Sequence, residues 1–209
     1  MSSFKTLTSA ALLAAAALLA SSQANALVIF SDNFNRANSN GVGNGWSETQ
    51  RHANDVAIVN NVVRLRDSRS GLVDAAISQL GGFDLTGLYN ITLSYDWAPR
   101  GVSEAADRLV LEWRAQPGDS WTSASNHGLG GAGGVFTSTV RSLVNATNVS
   151  ALQFRFRTNV SEGSGGNQEG AFLDNIYLRG DTIPEPGTLG LLGLGLLGAG
   201  VARRRKAAK

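Results

Sequence analysis

Leu152-Gln153-Phe154-Arg155-Phe156-Arg157 alternates apolar and polar side chains at every step. Successive side chains of a β-strand point to opposite faces. A period of two therefore buries Leu152, Phe154 and Phe156 and turns Gln153, Arg155 and Arg157 to solvent. The same period recurs upstream. Residues 90–97 (NITLSYDW) alternate, and residues 108–114 place Leu109, Leu111 and Trp113 on one face. Further strands are expected at residues 27–30, 56–59, 62–65, 75–80, 134–139 and 171–178. Turn residues separate them at Asn60-Asn61, Gly81-Gly82, Pro117-Gly118-Asp119 and residues 163–167. No extended helical period appears, and residues 140–145 fit only a short turn. Eight or nine short strands with one apolar face each predict an all-β fold of two packed antiparallel sheets. A jelly-roll sandwich fits best; an up-and-down barrel and an immunoglobulin-like Greek key are the alternatives. The Gly/Ser/Asn-rich residues 38–45 and 123–134 are expected to be loops at the ends of the sandwich.

Charge is distributed unevenly along the 209 residues. The formal net charge is +2, but Lys5, Arg203, Arg204, Arg205, Lys206 and Lys209 supply six of the 18 basic residues. Between Leu27 and Thr182 there are 12 arginines, no lysine and 15 acidic residues, a net charge of −3. Nucleic-acid binding needs clustered positive charge, and no basic run occurs in this middle segment. Nucleic acid is therefore not an expected partner. The chain has no cysteine, which excludes thiol nucleophiles, zinc–thiolate sites and disulfides.

The two ends read as addresses. Lys5 precedes an Ala/Leu run over residues 10–20, and Ala24-Asn25-Ala26 supplies the small residues that signal peptidase requires. Residues 1–26 are thus a secretory signal cleaved after Ala26, with a retained membrane anchor as the alternative. At the other end, residues 181–209 open with Pro184-Glu185-Pro186, which the prolines keep extended. An uncharged stretch, 188–202, carries five glycines and six leucines and is expected to be a hydrophobic helix. Arg203-Arg204-Arg205-Lys206 begins the basic tail, 203–209, that would stay in the cytoplasm. This order closely resembles the PEP-CTERM sorting domain. The resemblance implies a Gram-negative bacterium that makes exopolysaccharide, while the N-terminal signal segment leads one to expect export through the Sec pathway. The resemblance also implies a transient inner-membrane anchor through the C-terminal helix, and processing by an exosortase near Pro184, Glu185 and Pro186. The product would lie at the cell surface or in the extracellular matrix.

The β-rich segment, residues 27–180, carries a second resemblance. Phe30-Ser31-Asp32-Asn33-Phe34, then Gly43-Asn44-Gly45-Trp46, and the closing Glu169–Leu178 stretch (EGAFLDNIYL) are similar to jelly-roll modules of the carbohydrate-binding and MAM-like type. The resemblance implies that first and last strands pair and that Asp32, Glu169 and Asp174 hold a structural Ca²⁺. The residues themselves leave another reading open: Asp32 caps a turn, and Asp174 satisfies nearby backbone amides. Sugar binding would need aromatic rings beside planar polar groups. Trp97 and Trp113 share the apolar phase of their strands, whereas Trp46 and Trp121 lie in polar surroundings and are the candidate ligand-binding residues. No paired glutamates of the glycosidase kind occur. Glu104 and Asp107 sit in an expected loop, Glu112 is alone, and His52 and His127 are isolated. No catalytic residue is assigned, and the chain reads as a non-enzyme. The expected function is an exported surface or matrix protein whose sandwich binds carbohydrate, exopolysaccharide included. The alternatives are a purely structural envelope protein and a divergent glycan hydrolase.

Overall fold

A computed structural model describes residues 26–66, 75–160 and 169–182. The signal segment up to Asn25, the turn expected at 163–167 and the sorting segment from residue 183 lie outside the described residues. The described chain forms thirteen strands. Among the described residues no helix is long and apolar enough to cross a membrane.

The first sheet contains β1 (Ala26–Asp32), β3 (Val56–Val59), β4 (Val62–Arg66), β6 (Leu88–Arg100), β11 (Thr137–Ser142) and β13 (Gly170–Thr182). Its order is β11-β6-β13-β4-β3, with β1 also paired to β13. The second contains β2 (Trp46–Thr49), β5 (Ala76–Phe83), β8 (Arg108–Arg114), β9 (Thr122–Gly128) and β12 (Leu152–Asn159). Its order is β2-β5-β12-β8-β9. A short pair joins β7 (Val102–Ser103) to β10 (Gly131–Ala132). The chain changes sheet at nearly every connection, and both sheets are antiparallel. This is the expected jelly-roll sandwich.

Local chemistry sets the turns and close approaches. Asn60 and Asn61 both take positive φ, 54° and 64°, between the paired Val59 and Val62. That is the two-residue hairpin geometry matched to strand twist. Gly170 opens β13 at φ +145°, and a Cβ there would fall 2.0 Å from the Leu65 carbonyl oxygen. Only glycine permits β4 and β13 to meet at that point. β13 pairs with β4 through residues 170–173 and with β1 through residues 176–181. Between these stretches lie Asp174 and Asn175, the latter at φ 49°.

Alternation on β12 fills the interior as expected. Phe154 and Phe156 are fully buried. The Phe154 ring meets Phe30 at 5.9 Å, Trp46 at 5.7 Å, Phe83 at 5.7 Å and Phe156 at 6.4 Å between centroids. Phe156 packs edge-on to Tyr95 of the first sheet at 4.8 Å. Leu109, Leu111 and Trp113 of β8 join Ile77, Leu93, Leu173, Ile176 and Leu178 in the same core. Burying each such side chain contributes about 1.5–3 kcal/mol. Without disulfides, these contacts hold the sandwich.

Three local expectations need correction. Residues 123–134 are not one loop, because Thr122–Gly128 forms β9 and pairs with β8. Its residues are polar on both faces, so the period-two signal vanishes. Gly81-Gly82 is not a turn between strands; it lies inside β5, opposite a register shift between Leu152 and Phe154. β11 spans Thr137–Ser142 rather than residues 134–139, which absorbs much of the expected turn at 140–145.

Replacing Phe154 with Ala removes the ring on which four other aromatic rings converge. Unfolding free energy is expected to fall by about 3–5 kcal/mol in urea titration. A loss under about 1 kcal/mol would show that this ring cluster is not the organising part of the core.

Candidate ligand-binding face

The alternation that sends Phe154 and Phe156 inward sends Gln153, Arg155 and Arg157 to the outer face of the second sheet. On β8 the outward set is Arg108, Val110, Glu112 and Arg114. Register then aligns them: Gln153 stands opposite Arg114, Arg155 opposite Glu112 and Arg157 opposite Val110. One row across all five strands reads Ser47, Ser78, Arg155, Glu112, Ser123. The next reads Thr49, Ala76, Arg157, Val110, Asn126. At strand spacings of about 4.8 Å, five strands make a face about 19 Å wide. Its flanks carry short side chains, so the arginines stand above their neighbours.

Glu112 is the anionic centre of this face. Its Oε2 accepts hydrogen bonds from Arg155 Nε at 2.6 Å and Arg157 Nε at 3.0 Å. Its Oε1 accepts from Arg157 Nη2 at 3.3 Å. Burial by itself would raise the Glu112 pKa, but the hydrogen bonds from Arg157 and Arg155 outweigh it and hold the carboxyl below its ordinary value. Glu112 therefore stays ionised at neutral pH. Beside it, Arg114 Nε donates to Gln153 Oε1 at 2.7 Å, and Gln153 Nε2 donates to the Leu80 carbonyl.

Trp121 completes the arrangement. The guanidinium carbons of Arg114 and Arg155 lie 4.4 and 4.3 Å from its ring centroid. Both are cation–π contacts, and they fix a half-buried indole against the sheet. At the far end of β8, Arg108 stands opposite Gly128. Arg108, Ala105, Asn126, Gly128, Gly130 and Gly131 line an open hollow of about 520 Å³. Arg108 Nη1 is anchored there by the carbonyls of Ala105 at 2.5 Å and Asp107 at 2.8 Å.

The residues singled out in the sequence part company. Trp121 reaches the outer face, as its surroundings suggested. Trp46 does not: it starts β2, is 7% exposed and packs edge-on to Phe30 at 5.6 Å and Phe154 at 5.7 Å. It is a core residue, and its polar neighbours mark a buried hydrogen-bonded hub. That hub is Asp32. Oδ1 accepts from Phe34 N at 2.8 Å and Arg36 Nη1 at 2.9 Å. Oδ2 accepts from Arg36 Nη2 at 2.9 Å, Asn44 Nδ2 at 3.0 Å and Trp46 Nε1 at 2.9 Å. Arg36 Nε also donates to the Val42 carbonyl at 2.9 Å.

Five donors occupy the Asp32 carboxylate, one pair from a bidentate guanidinium. A calcium ion would have to displace them, so the calcium set Asp32, Glu169 and Asp174 does not fit at Asp32. Nor do the three residues form one cluster of ligand atoms among the described residues. Glu169 converges with Glu104 and Asp107, whose ligand atoms lie within 4.8 Å of one another. Asp107 Oδ2 accepts the Glu104 backbone N–H at 2.8 Å. Asp174 instead accepts the Asn175 backbone N–H at 2.8 Å, and Asn175 Nδ2 bridges to Asp96 at 2.8 Å. Burial raises the Asp174 pKa, with smaller contributions from Asp96 and Asp32. Asp32 and Asp174 thus follow the turn-capping alternative. Pro184, Glu185, Pro186 and Ala24 lie outside the described residues, and Ala26 is the first residue of β1.

His127 is not isolated in a loop, as the sequence implied. On β9 its ring stacks on Trp97 at 4.3 Å, and its Nε2 lies 2.6 Å from Tyr95 Oη and 3.0 Å from Ser125 Oγ. Burial, with Arg141 nearby, pushes the imidazole pKa down to about 4. Burial pushes the Tyr95 phenol up to about 12. A Ser–His contact resembles a nucleophile–base pair, yet the charge acting on this ring is a cation. The imidazole is a weak base that joins β9 to β6 at the seam between the sheets.

Residues 182–206 match the PEP-CTERM protein-sorting motif family. No curated protein matches the chain. Among solved structures the chain is similar to a family 29 carbohydrate-binding module, with 10% identity, TM-score 0.44, 75% of this chain and 92% of that one. It is similar to CBM28, described as specific for non-crystalline cellulose, with 12% identity, TM-score 0.44, 64% of this chain and 86% of that one. A third is CBM27-1 of Caldicellulosiruptor saccharolyticus in complex with mannohexaose, with 14% identity, TM-score 0.38, 74% of this chain and 97% of that one.

The Asp32 hub has a pH signature. Burial would raise its pKa, but hydrogen bonds from Arg36, Asn44, Phe34 and Trp46 hold it below the ordinary 3.8. A depressed folded-state pKa gives stability that is present above 3.8 and lost as pH falls through the lower folded value. Asp32→Asn is expected to cost about 2–4 kcal/mol at neutral pH, because it leaves the Arg36 guanidinium without its counter-charge. In thermal melts from pH 7 down to 2, the gap between wild type and variant should narrow below the ordinary carboxyl pKa. A gap that stays constant across that range would show that the carboxylate charge is not what stabilises the hub.

Proposed function

We propose that this chain is an exported protein, sorted through its C-terminal segment by an exosortase, whose sandwich binds polysaccharide on the outer face of its second sheet. The observation that carries the binding reading is the Trp121 ring held by Arg114 and Arg155 over a flat polar sheet. Sugars are recognised by aromatic rings together with planar hydrogen-bonding groups held in place beforehand. Here the ladder sets the positions, and Glu112 and Gln153 orient the guanidinium planes.

The reading is non-catalytic. Glycoside hydrolysis needs a carboxylic acid that keeps its proton near neutral pH beside a second carboxylate. Glu112 is held ionised by two arginines, which suits a structural anion and not a proton donor. The sorting reading rests on the motif match over 182–206. Export follows from it, and so does handling by an exosortase near Pro184-Glu185-Pro186. Signal peptidase removal of residues 1–26, passage through the inner membrane and final residence at the surface or in the matrix complete the proposal.

Two measurements test these halves separately. Trp121→Ala should lower retention on a polysaccharide-impregnated native gel at least tenfold, with the melting temperature nearly unchanged because the ring lies outside the core. Unchanged retention would remove Trp121 from the site. No retention of wild type on any glycan would favour the purely structural envelope protein. Deleting Pro184-Glu185-Pro186 should leave the chain in the membrane fraction of the producing cell. Normal release of that deletion mutant would count against exosortase processing.

A further inference from the structure

Arg108, Arg114, Arg155 and Arg157 project from the outer face of the second sheet, and Glu112 is the carboxylate set among them. They come in two pairs, Arg108 and Arg114 on β8 and Arg155 and Arg157 on β12, and strand pairing brings the two pairs together. The fold collects four of the 12 arginines of residues 27–182 on one face of a segment whose net charge is −3. A concentration of one sign against the charge of the whole is costly unless something compensates it, and Glu112 compensates in part.

The guanidinium groups of Arg114 and Arg155 are held in place but not used up. Among the described residues Arg155 places Nε on Glu112 and its ring-facing plane on Trp121, while its Nη atoms make no protein hydrogen bond. Arg114 uses Nε on Gln153 and Nη1, at 3.5 Å, on the Asp119 carbonyl. A guanidinium carries five N–H donors. Both side chains therefore keep donors turned to solvent on planes that the protein has already oriented. Such a fork pairs with a planar carboxylate through two parallel hydrogen bonds.

Resting on the polysaccharide-binding reading above, we propose that the ligand is an acidic polysaccharide bearing carboxylates, a polyuronate, held by Arg114 and Arg155 beside Trp121 with Arg157 and Arg108 extending the track. Arg114 lies six residue steps along β8 from Arg108, about 20 Å at the rise of a strand. That length accommodates several sugars, each carrying one charge. The face suits nucleic acid less well. Duplex DNA presents one charge per about 1.7 Å and demands a densely basic partner, whereas this domain is acidic elsewhere. Single strands are gripped by rows of aromatic rings, and among the described residues this face offers Trp121 alone.

The test compares polygalacturonate with its methyl ester, which has the same backbone without the charge. The full-length chain is immobilised and binding is measured at low and high salt. Polygalacturonate should bind at least tenfold more tightly than the ester, with an affinity that falls as salt rises. Arg114→Gln and Arg155→Gln should each cost about tenfold, while Arg179→Gln, on the first sheet, should change nothing. Equal binding of acid and ester overturns the charge inference and leaves the polysaccharide reading standing. Absence of binding to these and to neutral glucans and mannans overturns both. Equal binding of polygalacturonate and single-stranded DNA shows nonspecific polyanion attraction and overturns the inference. The acid–ester comparison uses only wild-type protein, so it decides the matter even if an arginine variant folds poorly.

Discussion

Phe154 and Arg155 are adjacent in the chain and act on opposite sides of one sheet. The pleat of a strand imposes that division, and the rest of the molecule is arranged around it. Because β12 is held between β5 and β8, its register cannot slip without exchanging rings for guanidinium groups. Each inward ring has a ring to meet. Each outward arginine has a partner on β8 or above the sheet. Core and candidate site are therefore consequences of one alignment, and neither can be altered in register without losing the other.

The sandwich was legible where burial is one-sided. β12, β8 and β6 alternate cleanly because one face meets core and the other meets water. β9 was not legible. Its sequence, Thr122-Ser123-Ala124-Ser125-Asn126-His127-Gly128, is polar on both faces. Outward residues contribute to the open sheet, and inward Ser125 and His127 join a hydrogen-bonded seam with Tyr95. Hydrophobic periodicity cannot report a strand whose buried side is itself polar. Trp46 misled for a related reason: the Asp32 carboxylate surrounds it with polar groups that satisfy one another away from solvent.

The candidate face shows the complementary limit. Trp121 could be singled out from its own neighbourhood. The arginines could not, because Arg114 and Arg155 lie 41 positions apart and meet only through the pairing of β8 with β12. Net charge, computed over the segment, concealed a local excess. Likewise, the Asp32 motif is visible in the sequence, where its resemblance implies a metal as the cation. The structure places a covalently attached cation, the Arg36 guanidinium, against both oxygens. Spacing alone does not distinguish a carboxylate that awaits an ion from one already neutralised by its own chain.

The pairing of β1 with β13 has a consequence for the order of events. Ala26 lies opposite Asp181, so the first described strand completes its ladder with the last. Such a long closure is slow, since its entropy must be met before any contact between the two strands forms. A ribosome delivers the chain from its N-terminus, so β1 has no ladder partner on β13 until residues 176–181 have been made. The sorting motif follows at 182–206. The strand that closes the sheet against β1 and the sorting motif are thus consecutive in the chain, so synthesis completes the domain's last strand just as the label begins.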